Sequence, residues 1–391
     1  MTHALLIVGT RPEAIKLAPV VKQLRSTTLA RSVVVCVSGQ HAARAREQLI
    51  ECGVTPDLEL PALAHPLSLS ALFGLLLDQL GDVVQALRPR LVIVQGDTAT
   101  AAAGAVAAGK AKVPVAHVEA GLRTGSLAAP FPEEGYRRLL ARIAELHFAP
   151  TAHAVRNLVQ EGVPPGSILL TGNTGVDAFH DHADASLVEG HEPPGRRIVV
   201  SLHRREVLGE RMTAMFEAIS VLAERYPAFE FLCQINANPA VSRAFDAAAG
   251  ACGRPNMTRV APLSYRDCLR LLARSYFIMT DSGGIQEEAP LLGKPVLVLR
   301  RETDRPEGLA TGGAKLVGIS PASIIASSSE LIENRDLHAR MAHVHSPYGD
   351  GHASRRISET IVSRLTHSEP PARHSADHAA WPQSATPGTI G

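Results

Sequence analysis

The sequence predicts an α/β protein of two domains, each a parallel sheet with helices on both faces, facing one another across a cleft. Three observations point there. Short apolar runs alternate with longer segments of helical spacing. The runs are nearly continuous rather than alternating in and out, as strands buried on both faces are. A polar stretch rich in Gly and Pro, DHADASLVEGHEPPGR at 181–196, interrupts the pattern, which then restarts.

In order, residues 4–9 (ALLIVG) read as the first strand and 13–25 as a helix, with Pro19 a point where it can kink. A strand follows at 33–38, a helix at 69–87 and a strand at 91–95. The Ala-rich 98–110 is a strong helix former. Then come a strand at 113–118, helices near 133–145 and 152–161, and a strand at 168–171. After the break, strands are expected at 197–202, 229–235, 276–280 and 295–299, with helices between. The domains divide as 1–175 and 176–346. The tail, 369–391, is poor in apolar residues and rich in Pro, Ser, Ala and His, a composition that cannot pay for ordering.

A length of 391 residues and 45% hydrophobic content suit two cores of this kind. A formal net charge of +1, with both signs mixed throughout, argues against a nucleic-acid partner or an anionic membrane surface. No uninterrupted apolar run reaches the roughly 18 residues of a membrane span. The start, MTHALLIVGT, has no basic region ahead of its apolar run and reads as a strand rather than a signal peptide. The cysteines, Cys36, Cys52, Cys233, Cys252 and Cys268, form no C-x-x-C pair and read as reduced thiols of a cytoplasmic protein. The 17 histidines show no metal-binding spacing, so no metal is expected.

Five stretches carry chemistry, each at the end of a predicted strand or the start of a helix. TDSGGIQEEAP places Ser282, Gly283 and Gly284 where free backbone N–H groups and a helix dipole favour an anion. Glu287 and Glu288 follow at once. As acids in a helix's first turn they suit the dipole, and one of them can reach a ligand hydroxyl. A nucleotide supplies both the phosphate and the hydroxyls. GTRPEAIKLAPV puts Arg11 and Lys16 at the first strand's carboxyl end, where open α/β sheets bind ligands. Cations there oppose the dipole, and a phosphorylated ligand is one reason for them; solvated surface charge is another. The turn lacks G-x-G-x-x-G, which weighs against a dinucleotide cofactor. In QGDTATA, Asp97 either caps the Ala-rich helix or aims into the cleft. HVEAGLRTG and FPEEGYRRLL bring His117, Glu119, Arg123, Glu133, Glu134, Arg137 and Arg138 into 22 residues. Glu134, Arg137 and Arg138 read as surface helix charges. Asp97, Glu119 and Glu133 together read as carboxylates sharing one cleft and raising one another's pKa. SLHRRE puts His203 at a strand end of the second domain, either toward the cleft or as a cap.

Together these stretches resemble the bacterial non-hydrolysing UDP-N-acetylglucosamine 2-epimerases. TGNTGVDA, TDRPE at 303–307 and SPYGDGHASRRI at 346–357 extend the likeness, in family order, from residue 9 to about 357. The resemblance implies a GT-B fold of two Rossmann-like domains, with a C-terminal helix at about 347–367 crossing back to the first. It implies epimerisation at carbon 2 of a UDP-sugar through loss and return of UDP, with no redox cofactor, in a homodimer. By motif, Asp97, Glu119 and Glu133 would serve the sugar and its proton, with Lys16 a further catalytic candidate. Arg11, His203, Ser282, Gly283 and Gly284 would hold the diphosphate, Glu288 the ribose, and Arg305 of TDRPE the substrate.

The chain departs from the family in four places. PEEGYR has Tyr136 where the family has an amide, and Val207 follows SLHRRE. QINANP has Asn236 at a family histidine, and QHAARAR has Ala42 and Ala43 after Gln40 and His41. In bacterial members the last two segments bind a second, activating UDP-N-acetylglucosamine. The resemblance therefore implies an activator site that is lost or altered here.

Overall fold

The computed structural model describes residues 2–63, 67–183, 196–202, 204, 207–235, 238–250 and 254–367. Most of the stretch read as a linker, the tail from 369, Cys252, His203 and Asn236 lie outside the described residues.

The first sheet contains β1 (Ala4–Val8), β2 (Val33–Val37), β3 (Leu58–Glu59), β4 (Leu91–Gln95), β5 (Val115–Val118), β6 (Leu146–Ala149) and β7 (Ile168–Leu170). Their order is β3-β2-β1-β4-β5-β6-β7. The second contains β8 (Arg197–Ser201), β9 (Glu230–Gln234), β10 (Met257–Val260), β11 (Phe277–Thr280), β12 (Val296–Val298) and β13 (Ala314–Leu316). Their order is β10-β9-β8-β11-β12-β13, and every pairing in both sheets is parallel.

β1 shows why its apolar run does not alternate. Ala4, Leu6 and Val8 enter one core with Leu17 and Val21, while Leu5 and Ile7 enter the opposite core with Leu76 and Leu80. β8 divides in the same way, Ile198 and Val200 to one side and Val199 to the other. Full burial of each such large aliphatic side chain is worth about 1.5–3 kcal/mol. The helix Ala99–Lys110 is buried almost throughout, and its Gly104 lies against Ile7 with no room for a Cβ. The helix Leu69–Leu87 packs the stripe Leu72, Leu76, Leu80 and Val84 onto the first sheet. By length and mean hydropathy (1.2) it could cross a bilayer, although no uninterrupted apolar run in it is that long. Asp78 and Asp82 interrupt its apolar residues, and its packed stripe lies on the first sheet.

In each sheet the strand order reverses beside one central strand: between β1 and β4, and between β8 and β11. Loops leave such a point in opposite directions and open a crevice at the strands' carboxyl ends. The loops concerned are 9–11, 96–98, that of 202 and 204 after β8, and 281–284. They hold most of the stretches picked out above.

The segments 171–174 and 348–353 run side by side. Gly172 and Gly349 meet back to back there: a Cβ on Gly349 would lie 3.1 Å from the Gly172 Cα. Asn173 donates its backbone N–H to the Tyr348 carbonyl at 2.8 Å. The Asp177 carboxylate accepts from the backbone N–H groups of Ala353 and Ser354 at 3.2 and 2.8 Å, capping the helix Ala353–His367. That helix buries Ile357, Ile361 and Leu365 in the core of the first lobe. Between the lobes, Phe179 of the helix Thr174–His182 packs with Tyr265 and Leu269 of the second.

Candidate active site

Asp97 follows β4, but Thr98 caps the next helix, its hydroxyl accepting from the Ala101 N–H at 3.0 Å. The Asp97 carboxylate is therefore available for another partner, and it takes Arg137 Nη2 at 2.6 Å and Nε at 2.8 Å. Beneath these loops lies Glu13, fully buried, which accepts from the Gly9 N–H at 3.0 Å and the Thr98 hydroxyl at 2.8 Å. It thus ties the loop after β1 to the loop after β4. Burial pushes its pKa up to about 7, against the pull of those hydrogen bonds.

Glu119 follows β5 with φ at 64°, a left-handed conformation that costs a non-glycine residue about 1–3 kcal/mol. Its surroundings hold it there. Gln95 Nε2 and Lys16 Nζ both donate to its carboxylate, and Asn173 Nδ2 does so at 3.0 Å. Lys16 Nζ also meets Glu287 Oε2 of the second lobe at 2.8 Å. Burial alone would lower the Lys16 pKa, but the two carboxylates outweigh it and the pKa is raised.

From Glu287 the ion pairs continue. Arg305 Nε donates to Glu287 at 2.7 Å, Arg305 Nη1 to Asp304 at 2.5 Å, and Arg305 Nη2 stands 3.8 Å from Glu119. Asp304 Oδ2 also takes Arg137 Nη2 of the first lobe at 2.5 Å, and Oδ1 takes Arg300 at 2.8 Å. Burial would raise the Asp304 pKa, yet its arginines hold it well below the usual carboxylate range. A chain of alternating charge thus runs from Asp97 through Arg137, Asp304, Arg305, Glu287 and Lys16 to Glu119, crossing the lobe boundary at Arg137–Asp304 and at Glu287–Lys16. With Arg300 it pairs four cations with four carboxylates.

On the second lobe, the helix Gly283–Glu288 starts at the end of β11 with Ser282 at its N-cap. First-turn N–H groups have no acceptor within their own helix. Gly283 lies against the Arg305 guanidinium: a Cβ there would come within 2.5 Å of Arg305 Cζ. The helix is only six residues long, so Glu287 and Glu288 close it rather than occupy its first turn. The dipole therefore does not account for the acids. Glu287 is a buried counter-ion to Lys16 and Arg305, while burial, partly opposed by the Tyr265 hydroxyl, pushes Glu288 up to about 7. Arg11 Nε donates to Gln48 at 2.8 Å and its Nη2 to the Leu263 carbonyl of the second lobe at 3.0 Å. Gln48 lies on the helix Ala42–Glu51 that begins with Ala42 and Ala43.

Asp97, Glu119, Lys16, Arg305 and the turn at Ser282, Gly283 and Gly284 therefore border the two crevices. The nearest partners of Asp97 and Glu119 are cations rather than one another. Glu133 opens the helix Glu133–Ile143, half-buried, within electrostatic reach of the Tyr136 hydroxyl. Tyr136 stacks on Phe73. Arg123 is held by both oxygens of Glu161 at 2.7 Å. His117 is buried beneath the sheet edge, bonded to the Gly96 carbonyl at 2.7 Å, with its pKa lowered to about 4 by burial. Arg137 and Glu134 are not surface charges: both are buried. The signal was there, because Glu134, Arg137, Leu140 and Ala141 share one face at helical spacing. Asp304 gave no comparable signal, since its first-lobe partner, Arg137, lies far away in sequence.

The family model described as UDP-N-acetylglucosamine 2-epimerase matches residues 23–362. The chain is 39% identical to the Bacillus subtilis UDP-N-acetylglucosamine 2-epimerase, over 91% of this chain and 94% of that one. It resembles the S. aureus MnaA–UDP co-structure with a TM-score of 0.86 at 38% identity, covering 93% of this chain and 97% of that one. The structure of the Neisseria meningitidis UDP-GlcNAc 2-epimerase bound to UDP-GlcNAc gives 0.87 at 37% identity, covering 93% and 100%. The two facing Rossmann-like lobes make a GT-B-like fold. On the likeness of sequence and of fold alike, the chain belongs to the UDP-N-acetylglucosamine 2-epimerase family.

Proposed function

We propose that the protein interconverts UDP-N-acetylglucosamine and UDP-N-acetylmannosamine by eliminating UDP and adding it back, without net hydrolysis. The observation that carries this reading is the linkage of Asp97 and Glu119, after β4 and β5 of the first lobe, through Arg137–Asp304 and Lys16–Glu287 to Arg305, which lies against Gly283 of the second. The nucleotide-bound relatives support it.

The hydrogen on carbon 2 has no neighbouring carbonyl, so its removal alone is very costly. When the bond from carbon 1 to the β-phosphate oxygen breaks, its electron pair leaves with UDP and the sugar becomes electron-poor. A carboxylate takes the carbon 2 proton, and its bonding pair forms the double bond of 2-acetamidoglucal. In the return step a proton reaches the opposite face of carbon 2 and the phosphate oxygen re-forms the bond to carbon 1. Asp97, Glu119 and Glu133 are assigned to these proton transfers, with Lys16 holding Glu119. Arg11, His203 and the backbone at Ser282, Gly283 and Gly284 are assigned to the diphosphate, and Glu288 to the ribose. Arg305 already serves three carboxylates, so its assigned part in substrate binding is to fix the acids around the sugar. The charge chain is already balanced, which leaves the departing diphosphate to preorganised backbone donors and cations outside that chain.

The test is incubation with UDP-N-acetylglucosamine in heavy water without an acceptor. Deuterium at carbon 2 and the manno epimer should rise together while free UDP stays at trace level. UDP accumulating in step with free N-acetylmannosamine would select the hydrolysing reaction instead. No deuterium and no epimer would leave a nucleotide-sugar-binding regulator.

A cytoplasmic homodimer completes the reading. Buried thiols at Cys36, Cys52 and Cys233, and the exposed Leu75 on the apolar helix Leu69–Leu87, support it. Light scattering is expected to give twice the chain mass, and a monomer at micromolar concentration would contradict the dimer.

A further inference from the structure

We propose that Asp304 is a positioning residue for the epimerisation: from the second lobe it holds the Arg137 guanidinium, which in turn seats the Asp97 carboxylate of the first. This rests on the assignment of Asp97 to proton transfer. Asp304 is wholly buried, and its ion pairs among the described residues run to Arg137, Arg300 and Arg305. It acts through one fork. Arg137 Nη2 lies 2.5 Å from Asp304 Oδ2 and 2.6 Å from Asp97 Oδ2, and Nε adds a 2.8 Å bond to Asp97. On its own helix Arg137 has only the looser 3.5 Å contact to Glu134. A lysine in its place would carry the charge but could not span both carboxylates with a rigid fork.

The other two arginines on Asp304 come from its own lobe. Arg300 is four residues before it and Arg305 is next to it. They fix the Asp304 carboxylate, so the second lobe presents a preset anchor to Arg137. Buried ion pairs seldom add net stability over a well-packed apolar substitute. Geometry is what this one supplies: Arg137 holds the Asp97 carboxylate with two bonds while Asp304 fixes the same guanidinium from the second lobe.

The experiment uses the full chain and compares Asp304→Asn, Arg137→Lys and the double variant. It measures kcat and KM for UDP-N-acetylglucosamine, UDP affinity by calorimetry, and the unfolding midpoint. Misplacing a reacting group by about 1 Å costs about 100-fold, so kcat should fall by about that factor in each single variant. KM and UDP affinity should stay within about threefold of the parent. The double variant should fall no further than the worse single one, because both changes cut the same link. A kcat within about threefold of the parent in folded Asp304→Asn overturns the proposal. So do additive losses, or loss of UDP affinity in parallel with kcat, which would mark a merely structural pair. Should Asp304→Asn fail to fold, Arg137→Lys alone decides by the same split between kcat and KM. The underlying assignment fails separately, through a fully active Asp97→Asn.

Discussion

Replacing Asp97 with Asn is expected to slow epimerisation by about 10²–10⁴-fold, the usual worth of a placed general acid or base. The amide keeps the shape of the carboxylate and can still accept from Arg137. Arg137 also keeps Asp304 at 2.5 Å, so no buried cation is orphaned. Asp97 is itself the most exposed acid of the charge chain, at 28% of its side-chain surface. The unfolding midpoint and UDP affinity should therefore stay near those of the parent while turnover collapses. Turnover assays, calorimetry and urea unfolding on the same preparation read all three. Undiminished turnover would remove Asp97 from the chemistry.

Replacing Lys16 with Met should produce the largest loss of stability, about 3–5 kcal/mol, the range for removing one partner of a buried pair. Lys16 and its two carboxylates are nearly solvent-free, with side chains 9% exposed for Lys16, 6% for Glu119 and 3% for Glu287. Without Lys16, Arg305 is left to serve both acids, and it reaches Glu119 only at 3.8 Å. Lys22, on the same helix, is the control. Its pair with Asp181 is 2.8 Å long but 40% and 37% exposed, and such pairs are worth about 0–1 kcal/mol. Lys22→Met should thus cost less than about 1 kcal/mol. Urea unfolding measures both, and equal midpoints for the two variants would contradict the account of the buried chain. Activity should also fall in Lys16→Met, because Glu119 loses a donor that holds its strained backbone in place.

The fold was legible where burial on two faces leaves a continuous apolar run. β1, β2, β4 and β8 are found in the sequence within a residue or so of their bounds. The strands that escaped are edge or near-edge pieces. β3 has two residues, β13 (AKL) exposes two of its three, and β10 (MTRV) exposes Thr258 and Arg259, so none carries the apolar signature; β6 (LHFA) is buried throughout but is a run of only four, with a histidine in it. Parts of the site were legible for a related reason. Loops at the ends of central parallel strands bind ligands, and Asp97, Glu119 and Ser282 sit there. The charge chain was not legible, because periodicity reports on neighbours within one element. Glu287 looked like a helix-start acid until the helix proved six residues long and its partner proved to be Lys16, far away in sequence. Arg137 looked like a solvated charge until the second lobe supplied Asp304.

The central claim is that the bond between carbon 1 and UDP breaks and re-forms between the two lobes. Substrate carrying oxygen-18 in that bridging position tests it directly. While UDP is detached, the terminal phosphate rotates and its oxygens become equivalent. Phosphorus NMR of recovered UDP-N-acetylglucosamine should then show label moving into non-bridging positions at least as fast as the epimer forms. Label that stays in the bridge after the two epimers have reached equilibrium would contradict the claim.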